Sequence, residues 1–336
     1  MKCLCLDYGG SAIKYCVMDD QSNMSHTGEV PAPRESLEQF IETTGQIYDS
    51  VKDEVEGIAI SFPGAFDTET GVLIFGGAYL HLLQGKSITG LIHERCPVPI
   101  AIENDGKSAA LAEAWKGNLK DCRDGAAIVL GTGIGGGLIK DGKIIRGKHF
   151  CAGEFSAIIT GNGSNFVTRA ATFTCSTEGI VERAAIMKGA KKKDMLYMEM
   201  MGQFDSGYAE SLRAKVTGPQ YPDLEMNGFE LFRLLEEGDP DIKMLYDEFI
   251  ADNVHMIINI ANIYDPERIV IGGGISKEPR LIADLQAAVK QLGTMRYGMT
   301  VATEVDLQPC FYRSSANLYG AMYNYLQHYA PELITH

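Results

Sequence analysis

A glycine-rich stretch, AIVLGTGIGGGLIKDG at residues 127–142, limits what this chain can fold into more than any other feature. It places five glycines within seven residues, between two runs that are typical of buried strands. A tight hairpin needs only one or two glycines to supply positive φ angles. The excess indicates that another group must approach the main chain closely at this turn.

Two common nucleotide-binding loops do not fit the pattern. Gly131, Gly133 and Gly136 satisfy G-x-G-x-x-G, but that motif needs a helix directly after the loop. Here LIKDGKIIRG follows, which predicts strand, turn and strand. A Walker loop is disfavoured because the G-K-S at 85–87 has Leu80 where that motif needs its first glycine. We therefore favour a hairpin whose amides bind an anion, with a merely flexible hairpin as the alternative.

Two further glycine turns follow apolar runs. KCLCLDYGGSAIKYCVMDD, at residues 2–20, again predicts strand, turn and strand. RIVIGGGISKEPRLIADLQAAV predicts a strand at 268–271, a glycine turn and then a helix with apolar residues at helical spacing. A helix N-terminus at such a turn would favour an anion. Residues 226–262 predict two amphipathic helices split at EGDPD, and residues 186–225 an insertion with some helix.

Composition excludes several classes of protein. The chain has 336 residues, 45% of them hydrophobic, which suits two domains with separate cores. Its formal net charge of -14 disfavours nucleic acid and anionic membranes as partners. Eight cysteines without a C-x-x-C pair fit a reducing compartment. We see neither a secretory signal nor a membrane-length apolar run, so we expect a soluble, cytoplasmic protein.

The glycine turns suit phosphoryl transfer from a nucleotide, in which the protein holds phosphates, neutralises charge with a metal and places the acceptor. Asp7, at the end of the first predicted strand, could orient a hydrated Mg²⁺, which takes few protein ligands. Initiation of the turn is the alternative role for Asp7. Ser11 and Lys14 could add a hydroxyl group and a positive charge to a phosphate site.

Asp105 is the candidate general base. PVPIAIENDGKSAALAEAWKG predicts a strand followed by a helix over Ala109 to Trp115. A carboxylate at this junction could accept the proton of a hydroxyl group as its oxygen attacks a phosphate. Asn104 or Asp105 could instead serve as the helix N-cap. The two roles are compatible.

Four segments carry a family resemblance. LDYGGSAIK resembles the first phosphate motif of the ROK family, named for repressors, open reading frames and kinases, within the hexokinase and actin superfamily. ENDGKSAALAE is similar to the sugar-binding and catalytic segment of that family. LGTGIGGGLIKDGKIIRG resembles its second phosphate motif, and DPERIVIGGGIS its adenosine motif. In order and spacing these segments cover nearly the whole chain.

The resemblance implies an α/β, two-lobed actin/hexokinase-like (ribonuclease H-like) fold, with a duplicated mixed sheet flanked by helices and a cleft between the lobes. We expect residues 1–116, completed by a C-terminal helix at 312–330, to form the N-terminal lobe. Residues 117–311 would then form the C-terminal lobe. The resemblance also implies a homodimer.

The resemblance assigns two sets of site residues and the substrates ATP and a small-molecule sugar. The sugar would be bound by Gly64, Gly77, Asn104, Asp105, Glu154 and Glu178. Asp7 would hold Mg²⁺ through water. ATP and its phosphates would be bound by Asp7, Gly9, Gly10, Ser11, Lys14, Gly131, Thr132, Gly133, Gly135, Gly272, Gly273 and Gly274.

The chain also departs from the family pattern. Sugar kinases of the family usually carry G-E-x-G-H, whose histidine contacts the sugar and binds zinc, whereas AGEFSAI keeps Glu154 but has Ser156 and Ala157 at the Gly and His positions. The cysteine-rich zinc segment is missing, and Cys175 is the only cysteine there. We therefore expect no zinc. Lys107 replaces the usual asparagine two residues after Asp105, which leaves the acceptor open.

The resemblance predicts ATP-dependent phosphorylation of a sugar hydroxyl group, on a hexose or β-glucoside and at C6, with Asp105 as general base. FGGAYLHL and AGEF resemble the β-glucoside kinases that lack zinc ligands. A glucokinase or an N-acetylhexosamine kinase is the alternative within the family. A non-catalytic sugar-sensing regulator is the alternative of another class. Repressors of the family carry a helix-turn-helix before the first glycine motif, which here starts at Asp7, so we expect a kinase.

Overall fold

The computed structural model describes residues 1–160, 167–295, 305–312 and 315–334. The chain forms two compact units. The first consists of Met1–Ala127, Gly136–Gly153 and Cys310–His336, and the second of Ile128–Gly135 and Glu154–Pro309. The chain therefore changes unit within the glycine-rich hairpin. The lobe boundaries given above stay a prediction.

A five-stranded sheet lies in the first unit, in the order β3-β2-β1-β4-β7. The β1/β2 and β2/β3 pairs are antiparallel, whereas β1/β4 and β4/β7 are parallel. Its strands are β1 (Lys2–Tyr8), β2 (Ala12–Asp19), β3 (Met24–Pro31), β4 (Gly57–Phe62) and β7 (Ile100–Asn104). A separate two-stranded sheet contains β5 (Ala65–Phe66) and β6 (Leu73–Phe75).

Helices cover both faces of this sheet, which explains why β1 and β4 are almost continuously apolar. Leu4 and Leu6 pack in a core with Phe40 from one helix and Ile92 from another. Cys3 points to the other face, where its thiol lies beside Tyr325. The helices of this unit are α1 (Leu37–Asp49), α2 (Leu80–Leu83), α3 (Ile88–Arg95), α4 (Asp105–Lys116) and α12 (Ala316–Tyr329).

Close packing of α4 on α12 fixes the helix that begins with Asp105. A Cβ atom at Gly320 would lie 1.7 Å from the backbone oxygen of Ser108, so only glycine allows this approach. Two turns further along α4 and one turn further along α12, Trp115 stacks on Tyr323 with ring centroids 5.5 Å apart. The C-terminal helix therefore holds the β7–α4 junction in place.

The second five-stranded sheet has the order β10-β9-β8-β11-β12. Its strands are β8 (Asp124–Leu130), β9 (Ile134–Lys140), β10 (Lys143–Ile144), β11 (Arg268–Gly272) and β12 (Asp306–Pro309). The residues after Gly131 to Gly133 continue as strand β9, as the sequence predicts, and the dinucleotide-binding loop is thereby excluded. The β9/β10 pair is antiparallel and the β11/β12 pair is parallel.

The remaining helices belong to the second unit. They are α5 (Ala171–Thr174), α6 (Thr177–Lys188), α7 (Leu196–Phe204), α8 (Tyr208–Arg213), α9 (Gly228–Glu236), α10 (Pro240–Tyr264) and α11 (Pro279–Met295). Helix α11 does not start at the glycine turn, because a 3₁₀ turn at Gly274–Lys277 intervenes and Pro279 sets the helix start. Over the described residues, none of the helices has the length and apolar character needed to cross a membrane.

A buried ion cluster anchors the segment that the sequence left least defined. The ammonium group of Lys188, fully buried at the end of α6, donates to Asp239 at 3.0 Å and to Asp241 at 2.7 Å. Asp241 also accepts hydrogen bonds from the amides of Thr217 and Gly218. Both ends of the 188–218 segment are therefore tied to the start of α10.

Candidate active site

Asp7 lies at the end of β1 in a fixed, mostly buried position. Its Oδ1 accepts hydrogen bonds from Ser61 Oγ and from Asn317 Nδ2, each at 3.0 Å. Burial raises the pKa of the Asp7 carboxyl, although these two hydrogen bonds and the charge of Lys14 act in the opposite direction. Three elements, β1, β4 and α12, thus position one carboxylate, which is more than initiation of a turn requires.

The first glycine turn is held by its carbonyl groups. Tyr79 Oη donates to the oxygen of Gly9 and Arg34 Nη1 to that of Gly10, both at 3.1 Å. A Cβ atom at Gly10 would meet nothing within 4 Å. Ser11 and Lys14 are exposed beside the turn. The side of the turn away from the carbonyls is therefore open to an incoming group.

The junction of β7 and α4 resolves which residue caps the helix. Asn104 is the N-cap, because its Oδ1 accepts the amide of Lys107 at 3.1 Å. Asn104 Nδ2 donates to Asp105 Oδ1 and to the oxygen of Gly64, both at 3.0 Å. Asp105 Oδ1 also accepts the amide of Gly106 at 2.8 Å. Asp105 is thus an oriented carboxylate in the first turn, and the capping role falls to its neighbour.

A small cavity of about 10 Å³ lies beside this junction, and we call it the Asn104 cavity. Its walls include two positively charged side chains. Lys107 is 2% exposed, and its ammonium donates to the backbone oxygen of Phe150 at 3.1 Å. The cavity is lined by Gly64, Ala65, Phe66, Thr68, Glu103, Asn104, Lys107, Arg146 and Phe150.

Arg146 and Glu103 form an ion pair in the wall of the Asn104 cavity. Arg146 Nε and Nη2 lie 2.9 Å and 2.7 Å from Glu103 Oε2, and the Glu103 side chain is 1% exposed. Arg146 Nη2 also donates to Asn324 Oδ1 at 3.1 Å. The sequence analysis missed Glu103, Arg146 and Phe150 as site residues. Only Glu103 carried a signal, since it begins the quoted ENDGKSAALAE segment.

Gly64 and Gly77 shape the backbone around Asn104. Both have positive φ angles, 112° and 78°. A Cβ atom at Gly77 would lie 2.3 Å from the oxygen of Pro63, so the two glycine segments approach more closely than any side chain permits. Their direct contact with a sugar stays a prediction. In the second unit, Glu154 is partly exposed and Ala157, at the position of the family histidine, is exposed.

A larger cavity of about 470 Å³ lies in the second unit, and we call it the Gly131 cavity. Helices α6 and α9 point their N-termini towards it, capped by Ser176 and Asn227. Oriented amides at helix N-termini favour anions. The lining residues are Leu130, Gly131, Thr132, Thr177, Glu178, Asn227, Gly228, Phe229, Phe232, Gly274, Ile275, Lys277 and Glu278.

Only some of the residues predicted to bind the nucleotide line the Gly131 cavity. Gly131, Thr132 and Gly274 line the Gly131 cavity, whereas Gly133, Gly135, Gly272 and Gly273 do not. Gly273 serves the close approach of two chain segments, because its Cβ atom would lie 2.1 Å from the oxygen of Leu130. Glu178, predicted to contact the sugar, lines this cavity and pairs with Lys192. Its sugar contact stays a prediction.

Two features near the Gly131 cavity were not predicted. Phe229 is 83% exposed at the start of α9, a position at which an apolar ring has no packing role. Tyr197 of α7 donates or accepts a hydrogen bond with Thr172 at 3.2 Å. These two hydroxyl groups would lie 3.4 Å from a Cβ atom at Gly133. The segment at 188–218 thus reaches the glycine hairpin through one tyrosine.

Glu113, the last residue of the ENDGKSAALAE segment, has a structural role. Its buried carboxylate accepts the amides of Asn118, Phe311 and Tyr312, at 2.9, 3.1 and 2.8 Å. Burial raises the pKa of this carboxyl, and the three amides act against that rise. Glu113 therefore fastens residues 311 and 312, before α12, to α4.

The structure was also searched for side chains that could bind a metal ion directly. Within the described ranges, no group of three or more His, Cys, Asp or Glu side chains could hold a metal ion. Cys175 is buried and Cys151 exposed. The absence of zinc stays a prediction.

Comparison with known sequences decides the family. The sequence model of the ROK family matches residues 3–327. The chain belongs to the ROK family. This confirms the resemblance carried by the four glycine and acidic segments.

Two relatives and one solved structure set the ROK chain in context. It is 28% identical over 327 residues to a β-glucoside kinase of Listeria monocytogenes serovar 1/2a, covering 97% of this chain and 98% of that protein. It is 28% identical over 289 residues to an N-acetyl-D-glucosamine kinase of Escherichia coli O9:H4, covering 83% and 86%. A ROK family protein of Streptococcus pneumoniae, solved with sucrose, superposes with a TM-score of 0.76 at 25% identity over 98% and 99% of the two chains.

These similarities confirm the predicted fold class. The ROK chain has the actin/hexokinase-like fold, with mixed sheets flanked by helices. The assignment of individual residues to sugar, phosphate or metal stays a prediction.

Proposed function

We propose that this protein transfers the γ-phosphoryl group of ATP to a sugar hydroxyl group, on a hexose or β-glucoside and at C6. The arrangement of Asn104 and Asp105 carries the proposal, because Asn104 caps α4 and lines the Asn104 cavity, and Asp105 directly after it is held as an oriented carboxylate. The relatives named as kinases of a β-glucoside and of N-acetyl-D-glucosamine support it.

Asp105 would act as the general base. As the sugar oxygen attacks the γ-phosphorus, its proton passes to the carboxylate, and the bond from that phosphorus to the bridging oxygen of ADP breaks. Two hydrogen bonds to Oδ1 fix the direction of the carboxylate. A cavity of about 10 Å³ holds about one water molecule, so it has the size of one hydroxyl group and not of a sugar ring.

The Gly131 cavity would bind the nucleotide. Gly131 and Gly274 line it without side chains that would occupy the space, and the N-termini of α6 and α9 add oriented N–H groups for phosphate oxygens. Phe229 offers an exposed aromatic face to a base. Gly133, Gly135, Gly272 and Gly273 would support this site by shaping the two turns.

Asp7 fits a hydrated Mg²⁺. The described residues place both of their hydrogen bonds to this carboxylate on Oδ1, which matches a metal that keeps most of its waters. Bound there, Mg²⁺ would supply positive charge that neutralises phosphate oxygens. The turn at Gly9, Gly10 and Ser11, with Lys14 beside it, would hold the phosphates.

The acceptor and the assembly are parts of the same proposal. Glucose and N-acetylhexosamines are alternative acceptors, with Gly64, Gly77, Glu154 and Glu178 as further sugar contacts. We propose a homodimer, which light scattering after gel filtration would test.

A coupled assay of ADP release tests the proposal. Purified protein with ATP and Mg²⁺ is given glucose, N-acetylglucosamine, N-acetylmannosamine, methyl β-glucoside and cellobiose, and the product is examined by phosphorus NMR. We expect release that depends on one of these sugars, with phosphate on C6. Tight sugar binding without any transfer would instead identify a non-catalytic sugar-sensing regulator.

A further inference from the structure

Lys107 occupies a position at which a positive charge is energetically unfavourable. It is the third residue of α4, and its side chain is 2% exposed. The N-terminus of a helix carries partial positive charge, which disfavours an ammonium group in the first turn. Burial adds a desolvation cost. Such a position requires contacts that compensate the charge.

One contact of the Lys107 ammonium group suggests a role for this residue in the sugar site. Its ammonium donates to the backbone oxygen of Phe150 at 3.1 Å, and both residues line the Asn104 cavity. Phe150 has a φ angle of 59°, in the left-handed region that bulky residues rarely adopt. A charge-assisted hydrogen bond to its carbonyl stabilises this strained conformation.

A second charged contact fastens the other end of the same segment. Arg146 pairs with Glu103, the residue directly before Asn104, whereas Lys107 lies two residues after Asp105. The residues between the two contacts, 147–149, are exposed. Residues 146–150 are therefore held at both ends against the β7–α4 junction that presents Asn104 and Asp105.

We propose that Lys107 is a positioning residue for the sugar, because it holds residues 146–150 as a wall of the Asn104 cavity through the carbonyl of Phe150. The inference rests on the proposed assignment of this cavity to the acceptor. An asparagine at position 107, as in the family pattern, has a side chain too short to make the same contact. The acceptor is thereby selected by the position of Phe150, and ATP binding is independent of Lys107.

The first test replaces Lys107 with methionine, which keeps the length of the side chain and removes its charge. Dissociation constants for glucose and cellobiose are measured by calorimetry without ATP, and KM is measured for ATP. We expect the tighter of the two sugars to bind about 10-fold more weakly, as for loss of one hydrogen bond to a charged group. KM for ATP should stay within about 2-fold, since Lys107 does not line the Gly131 cavity.

Lys116→Met is the matched control. Lys116 lies on the same helix and its ammonium also donates to a backbone oxygen, that of Gln21, at 3.2 Å. It does not line the Asn104 cavity. Sugar affinity should be unchanged in this variant. Equal weakening in both lysine variants would mean a general effect on α4 and would overturn the proposal.

Phe150→Gly provides the second variant and keeps the proposal testable if Lys107→Met does not fold. Glycine adopts a φ of 59° without strain, so the fold should persist. We expect a similar loss of sugar affinity. In the double variant the losses should not multiply, because both changes remove the same wall. Unchanged affinity in Phe150→Gly, or losses that multiply, would show that Lys107 does not act through Phe150.

The outcomes for the two proposals are separable. Sugar binding that depends on Lys107, without phosphoryl transfer, would sink the kinase proposal and leave this one standing. Phosphoryl transfer by the wild-type protein, with a sugar affinity that does not change in Lys107→Met, would support the kinase proposal and overturn the one on Lys107. Failure of the wild-type protein to bind either sugar would overturn the assignment of the cavity and this inference with it.

Discussion

The Asn104 cavity and the Gly131 cavity are built from different parts of the chain. The first, about 10 Å³, is lined by charged and amide side chains whose positions are set by hydrogen bonds between defined atoms. The second, about 470 Å³, is lined by glycine backbone, helix N-termini and apolar rings, together with the side chains of Glu178, Lys277 and Glu278. The Asn104 cavity can distinguish ligands by the direction of single hydrogen bonds. The Gly131 cavity can distinguish them by the space that its glycines leave open.

This difference determines which substitutions matter. At the Asn104 cavity, removal of one charge or one proton acceptor should be costly even when the shape is kept. At the Gly131 hairpin, added atoms should be costly, whereas a single methyl group that meets no neighbour closely should be tolerated. The predictions below test these two expectations, from the largest effect to the smallest.

The largest effect is expected for Asp105→Asn. The change keeps the shape and the hydrogen bond from Gly106, but removes the proton acceptor. We expect kcat to fall by at least about 10²-fold, the low end for loss of a general base, with sugar affinity nearly unchanged. Steady-state kinetics and calorimetry measure the two quantities.

Asp67→Asn is the control for the same chemistry, since this carboxylate accepts hydrogen bonds within its own turn, from the amides of Glu69 and Thr70 and from the Thr70 side chain. Its kcat should be normal. Near-normal turnover in Asp105→Asn would reduce Asp105 to a first-turn residue and remove the main support for a kinase.

The next effect concerns Gly133, where two variants differ by volume alone. A Cβ atom would lie 3.4 Å from Thr172 Oγ1 and from Tyr197 Oη, which is ordinary contact, so Gly133→Ala should bind ATP within about 2-fold of normal. The added methyl groups of Gly133→Val would press on these hydroxyl groups and displace the turn. We expect KM for ATP to rise about 10-fold, from an overpacking cost of ~1–3 kcal/mol.

Sugar affinity, measured by calorimetry on the same samples, is the internal control for Gly133→Val. It should be unchanged because Gly133 lies in the second unit, whereas the residues that line the Asn104 cavity lie in the first. Equal losses for ATP and sugar would indicate misfolding of the whole chain rather than a defect at a phosphate turn.

How far the sequence predicted these regions depends on the distance along the chain between the residues involved. The β1–β2 and β8–β9 hairpins and the strand-to-helix change at Asn104 follow from patterns within a few residues, and all three were predicted. The second hydrogen bond of Asp7 comes from Asn317, 310 residues away, and the partner of Glu103 from Arg146. No local pattern couples such residues, so the walls of the Asn104 cavity could not be read from the chain.

Local signals also failed where a specific residue overrode them. The helix after Gly274 was predicted to start at the glycine turn, but Pro279 delays it and a 3₁₀ turn takes its place. The N-termini that border the Gly131 cavity belong instead to α6 and α9. Their caps, Ser176 and Asn227, are ordinary N-cap residues, but nothing nearby in sequence shows that the two helices share one cavity.

A smaller effect is expected at Ala157, exposed where the family pattern has histidine. Without that imidazole, free glucose loses a hydrogen bond and an aglycone gains space, so kcat/KM should favour cellobiose or another β-glucoside over glucose, by about 10-fold. Ala157→His should narrow this preference. Activity should depend on added Mg²⁺. Metal analysis of the purified protein should find no stoichiometric zinc. Tightly held zinc, or strict preference for free glucose, would contradict the prediction.

The smallest effect on either cavity is expected from Asp241→Asn, although it should destabilise the second unit. Burial acts to raise the pKa of Asp241, but Lys188 and the amides of Thr217 and Gly218 outweigh it and lower the pKa below 3.8. An acid whose pKa is lowered by folding stabilises the protein above its unfolded pKa, and that stability is lost as the pH falls through the folded value.

Urea unfolding should therefore show the variant less stable by on the order of 2 kcal/mol near pH 7, since Lys188 keeps Asp239 as a partner. The difference between wild type and variant should shrink as the pH falls below about 4, whereas Asp223→Asn, at an exposed pair with Lys191, should match wild type throughout. Because the Lys188 cluster lines neither cavity, affinities for ATP and sugar should be unchanged. A loss of ATP affinity in Asp241→Asn, at a pH where the variant is folded, would show that the Gly131 cavity depends on buried charge as the Asn104 cavity does, and would remove the contrast between them.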